Sequence, residues 1–219
     1  MWPPRTLAIT DRHRLRGDDL DAALVAYVRA LARAGVDLVQ VRERDWDDLS
    51  LWRVTRAAVR AVRHTGCRVV VNERAHVAWA AGAHGVHLRS GGMPVARVRA
   101  IQPPGCLVGR SVHEDDDPLA IAGADYVLFG TVFPSWSKTP EAPVAGVAGL
   151  EAWVGRGGAV PVVAVGGIDL DRCAAARDAG ACGVAAIGLF ASAYARGEAA
   201  LAAVVRDVHA VFAQGERAE

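Results

Sequence analysis

Short runs of consecutive apolar residues alternate with longer amphipathic segments along the whole chain. Eight of these runs are rich in β-branched residues and have the length of strands. They are residues 7–10, 38–42, 68–72, 85–89, 107–112, 126–132, 161–167 and 183–188. Because the runs are nearly continuous rather than alternating, we expect parallel strands that are covered on both faces.

In the segments between the runs, apolar residues recur at the spacing expected of helices that pack one face on a sheet. Residues 21–34, 49–64 and 171–179 have this pattern, and the glycines that follow suit left-handed helix ends. Residues 114–122 are expected to form a further short helix. Strands that alternate with helices predict an α/β fold with right-handed crossovers.

Eight such units predict a single closed (β/α)₈ barrel, known as a TIM barrel, over residues 1–219, with a frayed tail at 213–219. The alternative is an open doubly wound sheet. That fold usually has a glycine-rich turn after its first strand, and residues 7–15 (LAITDRHRL) contain no glycine.

Composition narrows the class of protein. A formal charge of +1 does not indicate a nucleic-acid partner, and no apolar stretch is long enough to indicate a membrane partner. The prolines in MWPPRTLAIT interrupt any signal-peptide core, so a cytoplasmic location is expected. Cys67, Cys106, Cys173 and Cys182 are scattered, which favours reduced thiols over a zinc site or disulfides.

Glycines follow the last two predicted strands, where a TIM barrel places its functional face. Gly166 and Gly167 end the seventh strand, and Gly188 ends the eighth. Glycine lets backbone N–H groups approach an anion, and a helix that starts nearby adds a favourable dipole. The pattern therefore predicts a phosphate site, with two ordinary tight turns as the alternative.

Strand two carries a polar series, Gln40, Arg42 and Arg44. A period of two places Gln40 and Arg42 on one face, toward the barrel mouth. An inward arginine needs an anion to offset its desolvation. The partner is either a bound anion or a neighbouring carboxylate, namely Glu43, Asp45 or Glu73.

Further candidate residues follow other strands. His113, two residues after Ser111, is placed to move protons, with a structural histidine as the alternative. Ser135, Ser137 and Lys138 lie in a Gly/Pro-rich loop that suits a second anion or is simply solvated.

These stretches occur in the order expected of the thiamine phosphate synthase/TenI superfamily, which the chain resembles over nearly its whole length. The matching stretches are AITDRH, GVDLVQVRERD, VVVNERAHVAWAAGAHGVHL, LVGRSVH, GADYVLFGTVFPSWSK, PVVAVGGI and AGACGVAAIGLF. The resemblance implies a small-molecule thiazole phosphate substrate, whose phosphate would lie on Gly166, Gly167, Ile187 and Gly188. A homo-oligomer is compatible with it.

Two activities share this scaffold. The synthase joins a hydroxymethylpyrimidine diphosphate to the thiazole phosphate with Mg²⁺, and pyrophosphate leaves. The tautomerase, TenI, isomerises a thiazole carboxylate phosphate with a histidine and no metal. The resemblance would place the synthase's diphosphate near Gln40, Arg44, Asn72, Ser111, Ser135, Ser137 and Lys138.

Departures from the synthase pattern favour the tautomerase. Arg44 replaces a lysine, Glu73 replaces an aspartate, and Gly92 stands where a second magnesium-binding aspartate is expected. We therefore expect a thiazole tautomerase without a cofactor, with His113 and Arg42 as catalytic residues. The alternatives are a synthase, for which Glu73 is the remaining candidate Mg²⁺ ligand, and a non-catalytic protein that binds a thiamine precursor.

Overall fold

The computed structural model describes residues 2–135, 143–156 and 158–214. Eight parallel strands form a closed barrel in the order β1 to β8, because β8 pairs with β1. The strands are β1 Thr6–Ile9, β2 Leu38–Val41, β3 Arg68–Asn72, β4 Gly85–Leu88, β5 Leu107–Val112, β6 Tyr126–Phe129, β7 Val162–Val165 and β8 Gly183–Ala186. The single (β/α)₈ barrel predicted from the sequence is confirmed.

Helices surround the barrel and connect its strands. They are α1 Leu20–Ala34, α2 Asp48–Ala61, α3 Ala75–Ala81, α4 Val95–Arg99, α5 Gly146–Arg156, α6 Leu170–Asp178, α7 Gly188–Ala195 and α8 Glu198–Gln214. Aspartate side chains cap several of them, such as Asp19 at α1 and Asp47 at α2. No described helix has the length and apolar character needed to cross a bilayer.

In two segments the observed secondary structure differs from the prediction. Residues 114–122 do not form an α-helix, since only Pro118–Ile121 is helical and it has 3₁₀ geometry. Pro118 disfavours helical geometry at Asp117, which instead caps the short turn. At the other end of the chain, α8 continues through Gln214, so residues 213 and 214 belong to a helix rather than to a frayed tail.

The inside of the barrel is filled by alternate strand residues. Leu7, Leu38, Val70 and Leu107 pack there with Tyr126. A Cβ atom at Gly109 would lie 2.2 Å from Tyr126 Cζ, so only glycine leaves room for this ring. Trp2 packs edge-on against Tyr126, with ring centroids 5.7 Å apart, at the amino end of the strands. The open end of the barrel is therefore the carboxyl end, where the candidate residues lie.

Candidate functional site

A cavity of about 450 Å³ lies where β7 and β8 end. Gly166 and Gly167 line it with φ angles of +103° and +62°, which disfavour any other residue. A Cβ atom at Gly166 would also meet Thr131 Cγ2 at 2.5 Å. A Cβ atom added at Gly188, at the start of α7, would have no atom within 4 Å, so the backbone is open on that side.

The start of α7 faces this cavity without a side-chain cap. Ile187 is the N-cap residue and offers no side-chain hydrogen bond, and both Ile187 and Gly188 line the cavity. The first N–H groups of a helix carry partial positive charge and need acceptors. The predicted Gly166, Gly167, Ile187 and Gly188 set is thus brought together with geometry suited to a phosphate.

Basic side chains that were not predicted from the sequence also line this cavity. Arg14, Arg172 and Arg196 line it, as does Ser192. Arg172 also fixes the glycine turn, because its Nη1 donates to the Gly167 carbonyl at 2.6 Å. Arg172 and Ser192 lie in α6 and α7, Arg196 follows α7, and Arg14 lies in the segment between β1 and α1. None of them stands directly at a strand end, so only the fold reveals that they share one cavity.

A layer of polar side chains crosses the barrel above the apolar filling. Gln40 Nε2 donates to Asn72 Oδ1 at 2.9 Å, and its buried Oε1 has no partner among the described residues. His87 joins Tyr126 and Ser111 through its two ring nitrogens, at 3.1 and 2.9 Å. Burial lowers the pKa of His87 to about 3, and the charges of nearby arginines add to the effect. His87 is therefore a neutral structural residue that orients Ser111.

Arg42 and Arg44 form no ion pair within the described part of the chain. Arg42 is partly buried. Its pKa is lowered mainly by desolvation and secondly by the positive charge of Arg44. Glu43 is not the partner of either arginine, because its carboxylate accepts hydrogen bonds from Thr10 Oγ1 at 2.6 Å and Arg12 Nη1 at 3.2 Å. Asp45 pairs with Arg12 as well. Two guanidinium groups without carboxylate partners favour an anionic ligand.

A second cavity of about 410 Å³ lies beside β2 to β4. Its lining residues are Glu43, Arg44, Leu51, Asn72, Glu73, Arg74 and Arg89. Each oxygen of the Glu73 carboxylate contacts Arg89, whose backbone N–H donates to Oε1 at 3.0 Å and whose Nε lies 2.9 Å from Oε2. Arg89 directly follows β4, and no role was predicted for it from the sequence.

These side chains do not fit a magnesium site held between carboxylates. Mg²⁺ prefers oxygen ligands in octahedral geometry, usually including one or two carboxylates. Gly92 offers no side-chain oxygen, and both Glu73 oxygens are bonded to Arg89. Across residues 2–135, 143–156 and 158–214, no group of three His, Cys, Asp or Glu side chains could hold a metal ion.

His113 lies outside both cavities. It is exposed just after β5, its Nδ1 contacts the Gly130 carbonyl, and its backbone N–H donates to Asp116 at 2.7 Å. The structure therefore does not bring this imidazole together with the glycine turns. Ser135 lines the first cavity, whereas Ser137 and Lys138 lie outside the described residues.

Comparison with known proteins decides the family. A family model described as thiamine monophosphate synthase matches residues 6–190. This chain belongs to the thiamine monophosphate synthase family. The thiamine-phosphate synthase of Anaeromyxobacter dehalogenans is 40% identical over 165 residues, which cover 74% of this chain and 73% of that protein. The thiamine-phosphate synthase of Laribacter hongkongensis is 35% identical, over 88% of each chain.

Solved structures agree with membership of the synthase family. A thiamine phosphate pyrophosphorylase from Pyrococcus furiosus has a TM-score of 0.79 and 27% identity, and 96% of each chain is covered. A 3-hexulose-6-phosphate synthase has a TM-score of 0.66 at 21% identity, over 94% of this chain and 99% of that chain, which shows a shared fold alone. The comparisons support an enzyme of thiamine biosynthesis.

The expectation of a thiazole tautomerase is wrong. Relatives at 32–40% identity are named thiamine-phosphate synthase, and none of these names indicates a tautomerase. The glycine at position 92 and His113 are therefore weaker indicators of a tautomerase than the sequence suggests. The structure gives a physical reason to discount the histidine, since its ring contacts a backbone carbonyl outside both cavities.

Proposed function

We propose that this chain is a thiamine-phosphate synthase, which joins hydroxymethylpyrimidine diphosphate to a thiazole phosphate. Family membership carries the proposal, together with two basic cavities at the carboxyl end of one barrel. The first cavity has uncapped helix N–H groups and suits the thiazole phosphate. The second is lined by three arginines, of which Arg44 has no ion-pair partner among the described residues, and it suits a diphosphate.

In the proposed reaction, the bond between the pyrimidine methylene carbon and the diphosphate oxygen breaks. Its electron pair leaves with pyrophosphate, and the lone pair of the thiazole nitrogen forms the new carbon–nitrogen bond. The protein positions the two partners, which lowers the entropic part of the barrier. Gly166, Gly167, Ile187 and Gly188 hold the phosphate, while Gln40 and Asn72 present amide groups toward the pyrimidine diphosphate.

Arg42 supplies positive charge near the reacting groups in this proposal. Its guanidinium has no carboxylate partner among the described residues and is partly desolvated, so an incoming phosphate oxygen would form a strong charge-assisted hydrogen bond. The buried Gln40 Oε1, which has no partner among the described residues, would accept a hydrogen bond from a substrate N–H.

The test is direct conversion of the two substrates by the purified protein. Thiamine phosphate and pyrophosphate should form in equal amounts, as followed by chromatography and a coupled pyrophosphate assay. Gly188→Asp, which places a carboxylate in the phosphate cavity, should raise the KM for the thiazole phosphate while the protein stays folded. Absence of product with every combination of substrates and divalent cations would refute the proposal.

A further inference from the structure

The second cavity carries positive charge that the protein itself does not neutralise. Three arginines and two glutamates line it. Arg74 is paired with Asp48 at 3.2 Å, and Glu43 is held by Arg12. The remaining charged groups are Arg44, Arg89 and Glu73, which leaves one net positive charge for an anion.

Glu73 is held in a way that opposes metal binding. It has a left-handed backbone with φ of +64°, and both of its carboxylate oxygens are bonded to Arg89. A Cβ atom at Gly92 would lie 2.7 Å from Glu73 Oε1. The Glu73 carboxylate therefore occupies the space into which a side chain at position 92 would project, and Arg89 is its ion-pair partner there.

Arg89 remains able to bind a second anion while it is paired with Glu73. Of its guanidinium nitrogens, only Nε contacts the carboxylate, and its Nη groups have no protein partner among the described residues. Its side chain is 72% exposed beside the cavity. Arg44 is exposed on the neighbouring loop after β2 and has no ion-pair partner among the described residues either.

We propose that Arg44 and Arg89, rather than Mg²⁺ held between carboxylates, add to Arg42 the positive charge that binds the diphosphate in this chain. This inference builds on the proposed synthase function. When the carbon–oxygen bond breaks, the electron pair goes to the departing pyrophosphate. Guanidinium N–H groups would donate to its oxygens as this charge develops. Guanidinium stays protonated throughout, so no proton has to be transferred in the step.

Binding of inorganic pyrophosphate tests this proposal without the reaction. Isothermal titration calorimetry in EDTA should show binding by the wild type, and excess Mg²⁺ should change the affinity by less than about threefold. Arg44→Gln and Arg89→Gln should each weaken metal-free binding about tenfold, which corresponds to one charge-assisted hydrogen bond. Arg29→Gln, on the exposed face of α1, should leave the affinity unchanged. Binding that requires Mg²⁺ would overturn the proposal.

A double variant tests whether positions 73 and 92 determine how Mg²⁺ changes the affinity for pyrophosphate. Glu73→Asp shortens the carboxylate that blocks position 92, and Gly92→Asp then adds a second carboxylate. The folded double variant, checked by thermal unfolding, should bind pyrophosphate at least about tenfold more tightly with Mg²⁺ than in EDTA. An unchanged response to Mg²⁺ would contradict the assignment to these two positions.

Activity measurements separate this inference from the proposed function. Thiamine phosphate formation in EDTA, reduced in Arg89→Gln, would support both. Formation only with Mg²⁺ would overturn the arginine proposal and leave the synthase function intact. Absence of product under both conditions would refute the synthase function, and the pyrophosphate titrations would still decide whether the arginines bind a diphosphate without metal.

Discussion

Arg42→Met should stabilise the free protein and weaken its binding of anions. The arginine is partly buried, its pKa is lowered by desolvation and by the charge of Arg44, and no described carboxylate pairs with it. Methionine keeps much of the apolar stem and removes the charge. Because the site is only partly buried, we expect a gain of about 1 kcal/mol, at the low end of the cost of an uncompensated polar group. For a chain of this size that gain corresponds to a rise in Tm of roughly 2–4 °C.

The same substitution removes a charge-assisted hydrogen bond to a bound anion. Such a bond contributes about 1.5–3 kcal/mol, so the affinity for pyrophosphate should fall by roughly 10- to 150-fold. Thermal unfolding over a series of pyrophosphate concentrations measures both effects in one experiment. Arg29→Met, at an exposed position on α1, is the matched control and should change stability by less than about 0.5 kcal/mol. A lower Tm without ligand, or an unchanged response to pyrophosphate, would refute the reasoning.

Three further predictions concern other parts of the site. Because the folded-state pKa of His87 is about 3, below its unfolded value, the stability it contributes is present above about pH 6.5 and is lost as the pH falls. Wild type should lose about 1.6 kcal/mol more than His87→Gln between pH 6.5 and 5 in urea unfolding. Gly166→Ala should lower the free energy of unfolding by at least about 1 kcal/mol and weaken the binding of inorganic phosphate. Gly155→Ala, at an exposed position in α5, should raise the free energy of unfolding by about 0.5–1 kcal/mol. Equal effects of the two substitutions would contradict the argument from the φ angle. Arg172→Ala removes the 2.6 Å hydrogen bond to the Gly167 carbonyl and should weaken phosphate binding, measured by calorimetry, about fivefold. An unchanged affinity would contradict the role of Arg172 in positioning the glycine turn.

The strand pattern was sufficient to predict the barrel because parallel strands covered on both faces have a distinctive sequence. Strand ends were less certain. The predicted seventh strand ran to Gly167, but β7 ends at Val165, where the left-handed glycines begin. The predicted eighth strand ran to Gly188, but that residue begins α7. Periodicity cannot separate a strand from the turn that follows it when both are apolar.

The site was predictable where its residues meet a local backbone requirement, and it was missed where the role of a side chain depends on its contacts in the fold. Gly166, Gly167 and Gly188 carry a local backbone requirement that is visible in the sequence. Arg172 contacts the Gly167 carbonyl five residues before it, and Arg89, directly after β4, pairs with Glu73 after β3. Neither contact can be read from the sequence. The choice of activity was wrong for a related reason, since the effect of Gly92 depends on where the Glu73 side chain lies.

The fit between Gly109 and Tyr126 limits how this barrel can change over evolutionary time. A methyl group on the glycine would overlap the aromatic ring, so any larger residue there has to follow the loss of the tyrosine. Losing the tyrosine first would remove the hydroxyl that His87 contacts and leave a void beneath it. The two positions are therefore expected to be inherited together, while loops at the opposite rim are free to diverge and alter substrate preference.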